Sequence, residues 1–267
     1  MPSIIQNTIS NNRLFASYSV RKLFPLYTGN CLRVRRSLDN VEQDFVFVGS
    51  LVGSLVYTAA ILAFCGAGSG FITKWYSQNG STDIENTIAS TQPSIVQAGV
   101  LNTENGFPAV FFTYEQALYS AAITLPQPIV CCAVLKSDNT IAHQTFLDSY
   151  VFGNRVIFSN GSALLTYPYL ASQGIIIYSN VVNNGLLNTV CYTANITASS
   201  MYRNNILVGS GTIGNYNMNG GLIVGNAYYG NLGIGGPMTE MLIYYDLLSA
   251  DEKNFNHSNQ KSFFKTP

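Results

Sequence analysis

Charge is the scarcest property of this sequence, with 10% charged residues against 47% hydrophobic ones. Thirteen basic residues balance 13 acidic residues, so the formal net charge is zero. Proteins that bind nucleic acid usually carry an excess of Lys and Arg that neutralises phosphates. We therefore expect no nucleic-acid partner, and a surface that Asn, Ser, Thr and Gly keep soluble.

The usual metal and nucleophile motifs are also missing. The chain has two histidines and five cysteines, and no cysteines have the C-x-x-C spacing of a zinc site. No serine has the G-x-S-x-G surroundings of a nucleophile elbow. The one dense acidic cluster, Asp39–Asp44, is interpreted as a turn whose carboxylates pair with Arg33, Arg35 or Arg36, with a calcium site as the alternative. We predict no cofactor and no metal site.

Segments for export or membrane insertion are not predicted either. The first eight residues lack the basic start and long apolar run of a signal peptide. Residues 45–66 carry no charge and are long enough to span a bilayer. The pairs Gly49-Ser50 and Gly53-Ser54 interrupt that run, so we expect no membrane span. Residues 1–12 are polar and Asn-rich, and we predict a flexible N-terminal arm there.

What the sequence does contain is a succession of short β-rich segments between turn residues. In the first of them, Leu32 and Val34 alternate with arginines, as in a half-buried strand. Further strands are predicted at Phe45–Val48, Phe71–Tyr76, Gly106–Phe112, Ile129–Leu135, Thr145–Phe146, Arg155–Phe158, Gly174–Tyr178, Gly185–Tyr192, Ile206–Val208, Gly220–Asn226 and Pro237–Tyr244. This pattern indicates an all-β sandwich.

Three short helices are predicted between the strands, near residues 14–24, 55–64 and 249–258. The first would pack Leu14, Val20 and Leu23 against the core. In the third, Ser249 precedes Glu252 by three residues, which is the spacing of a capping box.

Several motifs in the first third of the chain form a recognisable set. They are R-x-L, Y-T-G, V-R-R-S-x-D-N, A-F-C-G-x-G and W-Y-x-Q-x-G, at Arg21–Leu23, Tyr27–Gly29, Val34–Asn40, Ala63–Gly68 and Trp75–Gly80. This set resembles the catalytic domain of fungal α-L-arabinofuranosidase B and the concanavalin A-like, laminin-G-type domains of many phage and large-virus proteins. The resemblance implies an antiparallel two-sheet jelly roll that forms one domain over residues 13–267.

The catalytic acids of the resembling enzymes have no evident counterparts. A retaining glycosidase needs two carboxylates, and in the resembling domain both lie in the second half of the chain. This sequence has no Asp or Glu between Asp148 and Glu240. The corresponding neighbourhoods, Asn226 and Ala163–Pro168, contain no acid, and Glu240 is interpreted as structural. We therefore expect that the protein is not an enzyme.

The sequence resembles these domains but lacks the catalytic acids of the enzymes. This combination implies a lectin-like structural protein on a virus or phage particle, as a capsid decoration, fibre or spike. The expected location is the virion, and the expected partners are neighbouring coat or particle proteins and a host-surface glycan, in a homo-oligomer or larger assembly. The alternatives are a glycoside hydrolase of the arabinofuranosidase type and a secreted, extracellular carbohydrate-binding protein.

Sugar binding requires aromatic faces for the ring and amide groups for the hydroxyls. Loops near the end of the chain offer both kinds of group. The predicted carbohydrate-binding residues are Tyr228, Tyr229, Asn226, Asn231, Tyr216 and Asn217.

The adjacent Cys131 and Cys132 resemble a vicinal cysteine pair of the arabinofuranosidase domain. The alternative interpretation is that they are two small strand residues that face opposite surfaces of a sheet. The odd number of cysteines argues against a complete disulfide framework.

Overall fold

The computed structural model describes most of the chain. The described residues are 13–137, 143–151, 156–159, 168–170, 185–215, 217–228, 230 and 232–267. The predicted arm at residues 1–12 and the predicted strand at Gly174–Tyr178 lie outside them.

Strands dominate the described residues, and the pairs between them are antiparallel. In chain order the strands are β1 (Leu14–Ser19), β2 (Leu32–Arg36), β3 (Glu42–Phe45), β4 (Gly70–Trp75), β5 (Ile84–Glu85), β6 (Ser94–Gln97), β7 (Val100–Leu101), β8 (Thr103–Glu104), β9 (Phe107–Pro108), β10 (Val110–Phe111), β11 (Leu118–Ser120), β12 (Thr124–Leu125), β13 (Ile129–Leu135), β14 (His143–Val151), β15 (Val156–Ser159), β16 (Pro168–Leu170), β17 (Asn188–Ala194), β18 (Ser199–Arg203), β19 (Ile206–Gly211), β20 (Met218–Val224) and β21 (Pro237–Tyr244). Two α-helices accompany them in the described part, α1 (Thr58–Cys65) and α2 (Ala250–Phe264). The prediction of an all-β antiparallel sandwich is confirmed.

The strands form two layers within one hydrogen-bonded network. The first layer has the order β19-β18-β17-β13-β21-β1. The second has the order β16-β15-β14-β20-β11-β5-β4-β2-β3. Strands β10 and β6 connect the layers, because β10 pairs with β21 and with β6, and β6 pairs with β4.

The main core lies between the layers. Successive side chains of a strand point to opposite faces of its sheet, so each layer contributes alternate residues to this core. The second layer supplies Trp75, Ile84, Leu118, Leu147 and Val224, all completely buried. The opposite face of these strands is therefore free to carry polar side chains.

The first layer is covered on its outer face as well, by helix α2. A second cluster of buried side chains fills that interface: Leu14, Leu23, Phe24, Val130, Cys132, Leu242, Tyr244 and Leu248. All seven residues of β13 and all eight of β21 are consequently buried. Strands that are buried on both faces have nearly continuous apolar sequences, which explains why Ile129–Leu135 and Pro237–Tyr244 lack a polar alternation.

The prediction of a helix near residues 14–24 is wrong. Residues 14–19 form strand β1, in which Tyr18 pairs with Met241 of β21. Ala16, Tyr18 and Val20 all point into the core. Their spacing of two residues is that of a strand, and it outweighs the helical spacing on which the prediction relied.

The strand predicted at Phe45–Val48 is displaced. Strand β3 ends at Phe45, and the next residues pair with the segment before α1 instead. The Val48 N–H donates to the Leu55 carbonyl at 2.9 Å, and the Tyr57 N–H donates to the Val46 carbonyl at 2.9 Å.

The uncharged run at 45–66 is therefore divided into the end of a strand, a turn and the eight-residue helix α1. No helix in the described part of the chain is long and apolar enough to cross a membrane.

The two adjacent cysteines of β13 face opposite surfaces, as one of the two interpretations predicted. Cys132 faces α2 and forms a disulfide with Cys191 of β17, which lies directly opposite it in the register. Cys131 points into the main core and is free, as are the buried Cys31 and Cys65.

A buried ion pair fastens helix α2 to the first layer. Arg21 Nε donates to Glu240 Oε2 at 2.7 Å, and both side chains are almost fully buried. Gln260 of α2 donates to the other carboxylate oxygen at 3.2 Å. The Arg21 guanidinium also lies 4.3 Å from the ring centre of Phe263. Glu240 is thus a structural residue.

We predict that Glu240→Gln strongly destabilises the protein. The change leaves the Arg21 cation buried without its counter-charge, which costs about 3–5 kcal/mol in comparable buried pairs. Urea unfolding followed by far-UV circular dichroism measures the loss. Asp39→Asn, in the exposed pair with Arg36, is the matched control and should leave the midpoint in place. Equal midpoints for both variants would refute the structural role of Glu240.

We also predict that Ser249→Ala shortens or frays α2. The Ser249 hydroxyl accepts from the Glu252 N–H, and the Glu252 carboxylate accepts from the Ser249 N–H, so the predicted capping box is present. Loss of an N-cap side chain costs about 1 kcal/mol. Ser258→Ala, an exposed change inside the same helix, is the control and should not lower the melting temperature. A native melting temperature for Ser249→Ala would contradict this account.

Thiol counting tests the predicted cysteine states. With one disulfide among five cysteines, the unfolded protein should take up three iodoacetamide labels without reductant and five after reduction. Intact-mass spectrometry distinguishes these results. Five labels without reductant would show that Cys132 and Cys191 are not linked.

Candidate functional site

A groove of about 460 Å³ lies on the outer face of the second layer. It crosses β5, β11, β20 and β14 near their ends. Its lining consists of Glu85, Asn86, Thr87, Ile88, Tyr119, Ser120, Ala121, Tyr150, Ile223 and Tyr228. Sites for small molecules commonly measure about 300–1,000 Å³, so the groove is large enough for a ligand.

A second opening lies between the first layer and α2. Thr189, Tyr202, Lys253 and His257 are among the residues that line it, and its volume is about 10 Å³. That volume holds about one water molecule. The groove on the second layer is therefore the stronger candidate for a functional site.

The strand register determines which side chains reach the groove. Glu85 lies opposite Tyr119, Tyr119 opposite Ile223, and Ile223 opposite Asp148. Residues that are directly opposite in antiparallel strands project from the same face. This row of four residues therefore lies on the outer face, while the neighbouring row, which includes Trp75, lies in the core.

Glu85 supplies the only charge among the described residues that line the groove. Its carboxylate pairs with Lys74 of the adjacent strand at 2.8 Å, and its side chain is 52% exposed. A ligand in the groove can consequently contact this carboxylate.

Asp148, the second carboxylate of the row, is buried beneath the loop that follows β20. Its Oδ2 accepts from the Tyr228 N–H at 2.9 Å, and its Oδ1 accepts from the Ser149 N–H at 2.8 Å. Asp148 thereby fixes the backbone that carries Tyr228. Three strand spacings, about 14 Å, separate the backbone positions of Glu85 and Asp148.

Three tyrosines provide aromatic surface in the groove. The ring centres of Tyr119 and Tyr150 are 5.5 Å apart, with an angle of 42° between the ring planes. Burial raises the pKa of Tyr119, and burial together with the nearby Tyr119 raises the pKa of Tyr150. Both phenols therefore stay protonated at neutral pH and can donate hydrogen bonds. The side chain of Tyr228 is 50% exposed.

The structure brings one of the predicted sugar-binding residues, Tyr228, into the groove. Asn226 is instead buried: its side chain donates to the Tyr114 carbonyl and accepts from the Ala227 and Leu232 N–H groups. It holds the loop in shape and has no exposed amide for a ligand. The structure does not bring Asn217 into the groove; it accepts from the Gln127 N–H. The predicted residues Tyr216, Tyr229 and Asn231 lie outside the described residues.

Sequence reasoning missed Glu85, Tyr119 and Tyr150. No motif surrounds them, and they come together only through pairings between distant segments. The one available signal was Gly220-Gly221, because consecutive glycines within a strand often indicate a close approach to its backbone.

The acidic cluster at 39–44 has the arginine partners that were predicted for it. Arg36 binds Asp39 at 2.7 Å, and Arg33 binds Asp44 at 2.8 Å. Hydrogen bonds from these arginines lower the pKa of both carboxyls. Within the described ranges, no group of three or more His, Cys, Asp or Glu residues could hold a metal ion.

No family profile and no curated protein matches this sequence. Solved structures do match it. A GH54 α-L-arabinofuranosidase soaked with a cyclic sulfate inhibitor superimposes with a TM-score of 0.70 and 16% identity, covering 98% of this chain and 65% of that one. An arabinofuranosidase complexed with arabinofuranosyl-α-1,2-xylobiose gives 0.70 at 15% identity with the same coverage. A Trypanosoma rangeli sialidase in complex with sialic acid gives 0.51 at 9% identity, covering 72% of this chain and 32% of the sialidase.

At this level of identity the likeness establishes a shared β-sandwich fold. This chain spans about 65% of the length of the arabinofuranosidase structures that it matches. The matched proteins are glycoside hydrolases, and this finding overturns two expectations: the non-catalytic particle-surface protein and the absence of enzyme activity. Those expectations relied on acids missing at two motif positions. They did not consider Glu85, whose carboxylate opens into the groove.

Proposed function

We propose that this chain is a carbohydrate-active protein of the glycoside hydrolase type, which binds a glycan in the groove and cleaves a glycosidic bond there. The observation that carries the proposal is the groove itself, whose lining includes three tyrosines and a carboxylate that a ligand can reach. Aromatic rings stack on the CH faces of sugars, and nearby polar groups fix their hydroxyls.

The structural comparisons support this proposal and suggest a first substrate class. The two arabinofuranosidases align with 98% of this chain, and one of them was solved with arabinofuranosyl-α-1,2-xylobiose. We therefore propose α-L-arabinofuranosides as the substrates to test first.

Hydrolysis requires water to add across the glycosidic bond. One carboxylic acid gives a proton to the leaving oxygen, while a second carboxylate activates the water or attacks the anomeric carbon. Glu85 is the group that meets the ligand directly, because its side chain opens into the groove. Asp148 is buried and lies about three strand spacings away, which is too far for the second carboxylate of either mechanism. Its role is to hold the Tyr228 backbone.

We also propose an extracellular location. The Cys132–Cys191 disulfide supports it, because disulfides persist in oxidising compartments and are rare in the cytosol.

The binding part of the proposal predicts that Tyr228→Ala weakens affinity for arabinoxylan oligosaccharides. Loss of one stacked ring should raise the Kd about tenfold, as measured by isothermal titration calorimetry. Tyr245→Ala is a suitable control, because Tyr245 is similarly exposed, at 45%, and does not line the groove. Equal affinities for the two variants would argue against the groove as the binding site.

The catalytic part predicts that Glu85→Gln lowers the turnover of 4-nitrophenyl α-L-arabinofuranoside by about 10²–10⁴-fold, because general acid–base groups contribute that much. Oligosaccharide affinity should change little, since the amide keeps the shape of the carboxylate. Glu104→Gln, in the separate pair with Lys136, is the control. Native turnover in Glu85→Gln would show that Glu85 takes no part in the reaction. Failure of the native protein to hydrolyse any aryl glycoside would contradict the hydrolase assignment.

A further inference from the structure

We infer that Tyr119 and Tyr150 form a stacking platform for an uncharged sugar ring, and that Gly221 positions this platform. The inference rests on the proposed function and adds two things to it: the class of sugar, and the residues that select it.

The platform is assembled from three neighbouring strands. Tyr119 belongs to β11 and Tyr150 to β14, and β20 lies between these strands and pairs with both. The register of β14 against β20 shifts at Tyr150, because Gly220 and Gly221 of β20 both lie opposite it and form a β-bulge. Bulges redirect a side chain. Here the Tyr150 ring lies over β20, 5.5 Å from the centre of the Tyr119 ring.

Gly221 of β20 makes room for this arrangement. A Cβ atom at Gly221 would lie 3.2 Å from Tyr150 Cδ2 and 3.0 Å from the Ala121 carbonyl oxygen. The φ angle of Gly221 is +117°, a conformation that residues with a side chain rarely adopt. The Tyr150 ring therefore rests on the bare backbone of Gly221. Any side chain at this position would push the ring away from Tyr119.

The charges around the platform favour a neutral sugar. Glu85 is the one charged residue among the described residues that line the groove, and it already forms an ion pair with Lys74. The carboxylate of a uronic or sialic acid would meet this like charge without an arginine among the described lining residues to balance it. A neutral sugar offers hydroxyl groups that can donate to Glu85 and accept from the two phenols.

The test compares a neutral arabinoxylan oligosaccharide with an oligogalacturonide, by calorimetric titration of the full chain. The native protein should bind the neutral ligand at least tenfold more tightly. Tyr150→Ala should raise the Kd for the neutral ligand about tenfold, whereas Tyr150→Phe, which keeps the ring, should stay within about twofold of native. Equal binding of the two ligands, or a native Kd in Tyr150→Ala, would overturn the inference.

Gly221→Ala tests the positioning role. It should weaken binding of the neutral ligand as much as Tyr150→Ala does, and the double variant should be no weaker than either single one, because both changes remove the same ring. Additive losses would show that Gly221 does not act through Tyr150. If Gly221→Ala binds too weakly or is too unstable to titrate, its loss of unfolding free energy is compared with that of the same change in the Tyr150→Ala background, where the contact with the Tyr150 ring is absent and the contact with the Ala121 carbonyl remains. Equal destabilisation by Gly221→Ala in both backgrounds would refute the positioning role.

Turnover of 4-nitrophenyl α-L-arabinofuranoside separates this inference from the proposed function. If the native protein hydrolyses the aryl glycoside but Tyr150→Ala binds the neutral oligosaccharide with native affinity, the inference of a stacking platform is wrong and the hydrolase proposal is supported. If Tyr150→Ala loses affinity while the native protein shows no turnover, the platform stands and the hydrolase assignment fails.

Discussion

The antiparallel register across β5, β11, β20 and β14 decides which side chains this protein presents in its groove. Glu85, Tyr119, Ile223 and Asp148 lie opposite one another, so they share one face of the sheet. A slip of one residue would exchange this row for the core row beside it, which includes Trp75. Burial of the apolar row between the layers allows only one register of these strands. That register places the row with Glu85 and Tyr119 in the groove.

The two outer faces of the sandwich have different roles. Helix α2 covers the first layer and is fastened there by the buried pair of Arg21 and Glu240. The opening between this layer and α2 is only large enough for about one water molecule. The outer face of the second layer carries the groove, with its tyrosines and one solvent-reachable carboxylate. The buried ion pair and the proposed ligand-binding groove therefore lie on opposite sides of the sandwich.

Sequence patterns predicted the fold well where one element carries its own signal. Ile129–Leu135 was predicted with the observed bounds because it is an unbroken apolar run, and so was Pro237–Tyr244, which is apolar except for two central residues. The capping box at Ser249 is a local motif. The groove could not be predicted in this way. Tyr119 and Tyr150 come together through pairings between strands, and no local sequence pattern indicates which strands will pair. Only Tyr228 of the groove was anticipated, from its position in a loop.

The central claim is that the groove of the second layer binds a glycan. A crystal structure of the protein with a neutral arabinoxylan oligosaccharide tests it most directly. The account predicts a sugar ring stacked on Tyr119 and Tyr150, with a hydroxyl or glycosidic oxygen within hydrogen-bond distance of the Glu85 carboxylate. A sugar bound elsewhere, with the groove filled by solvent alone, would contradict it.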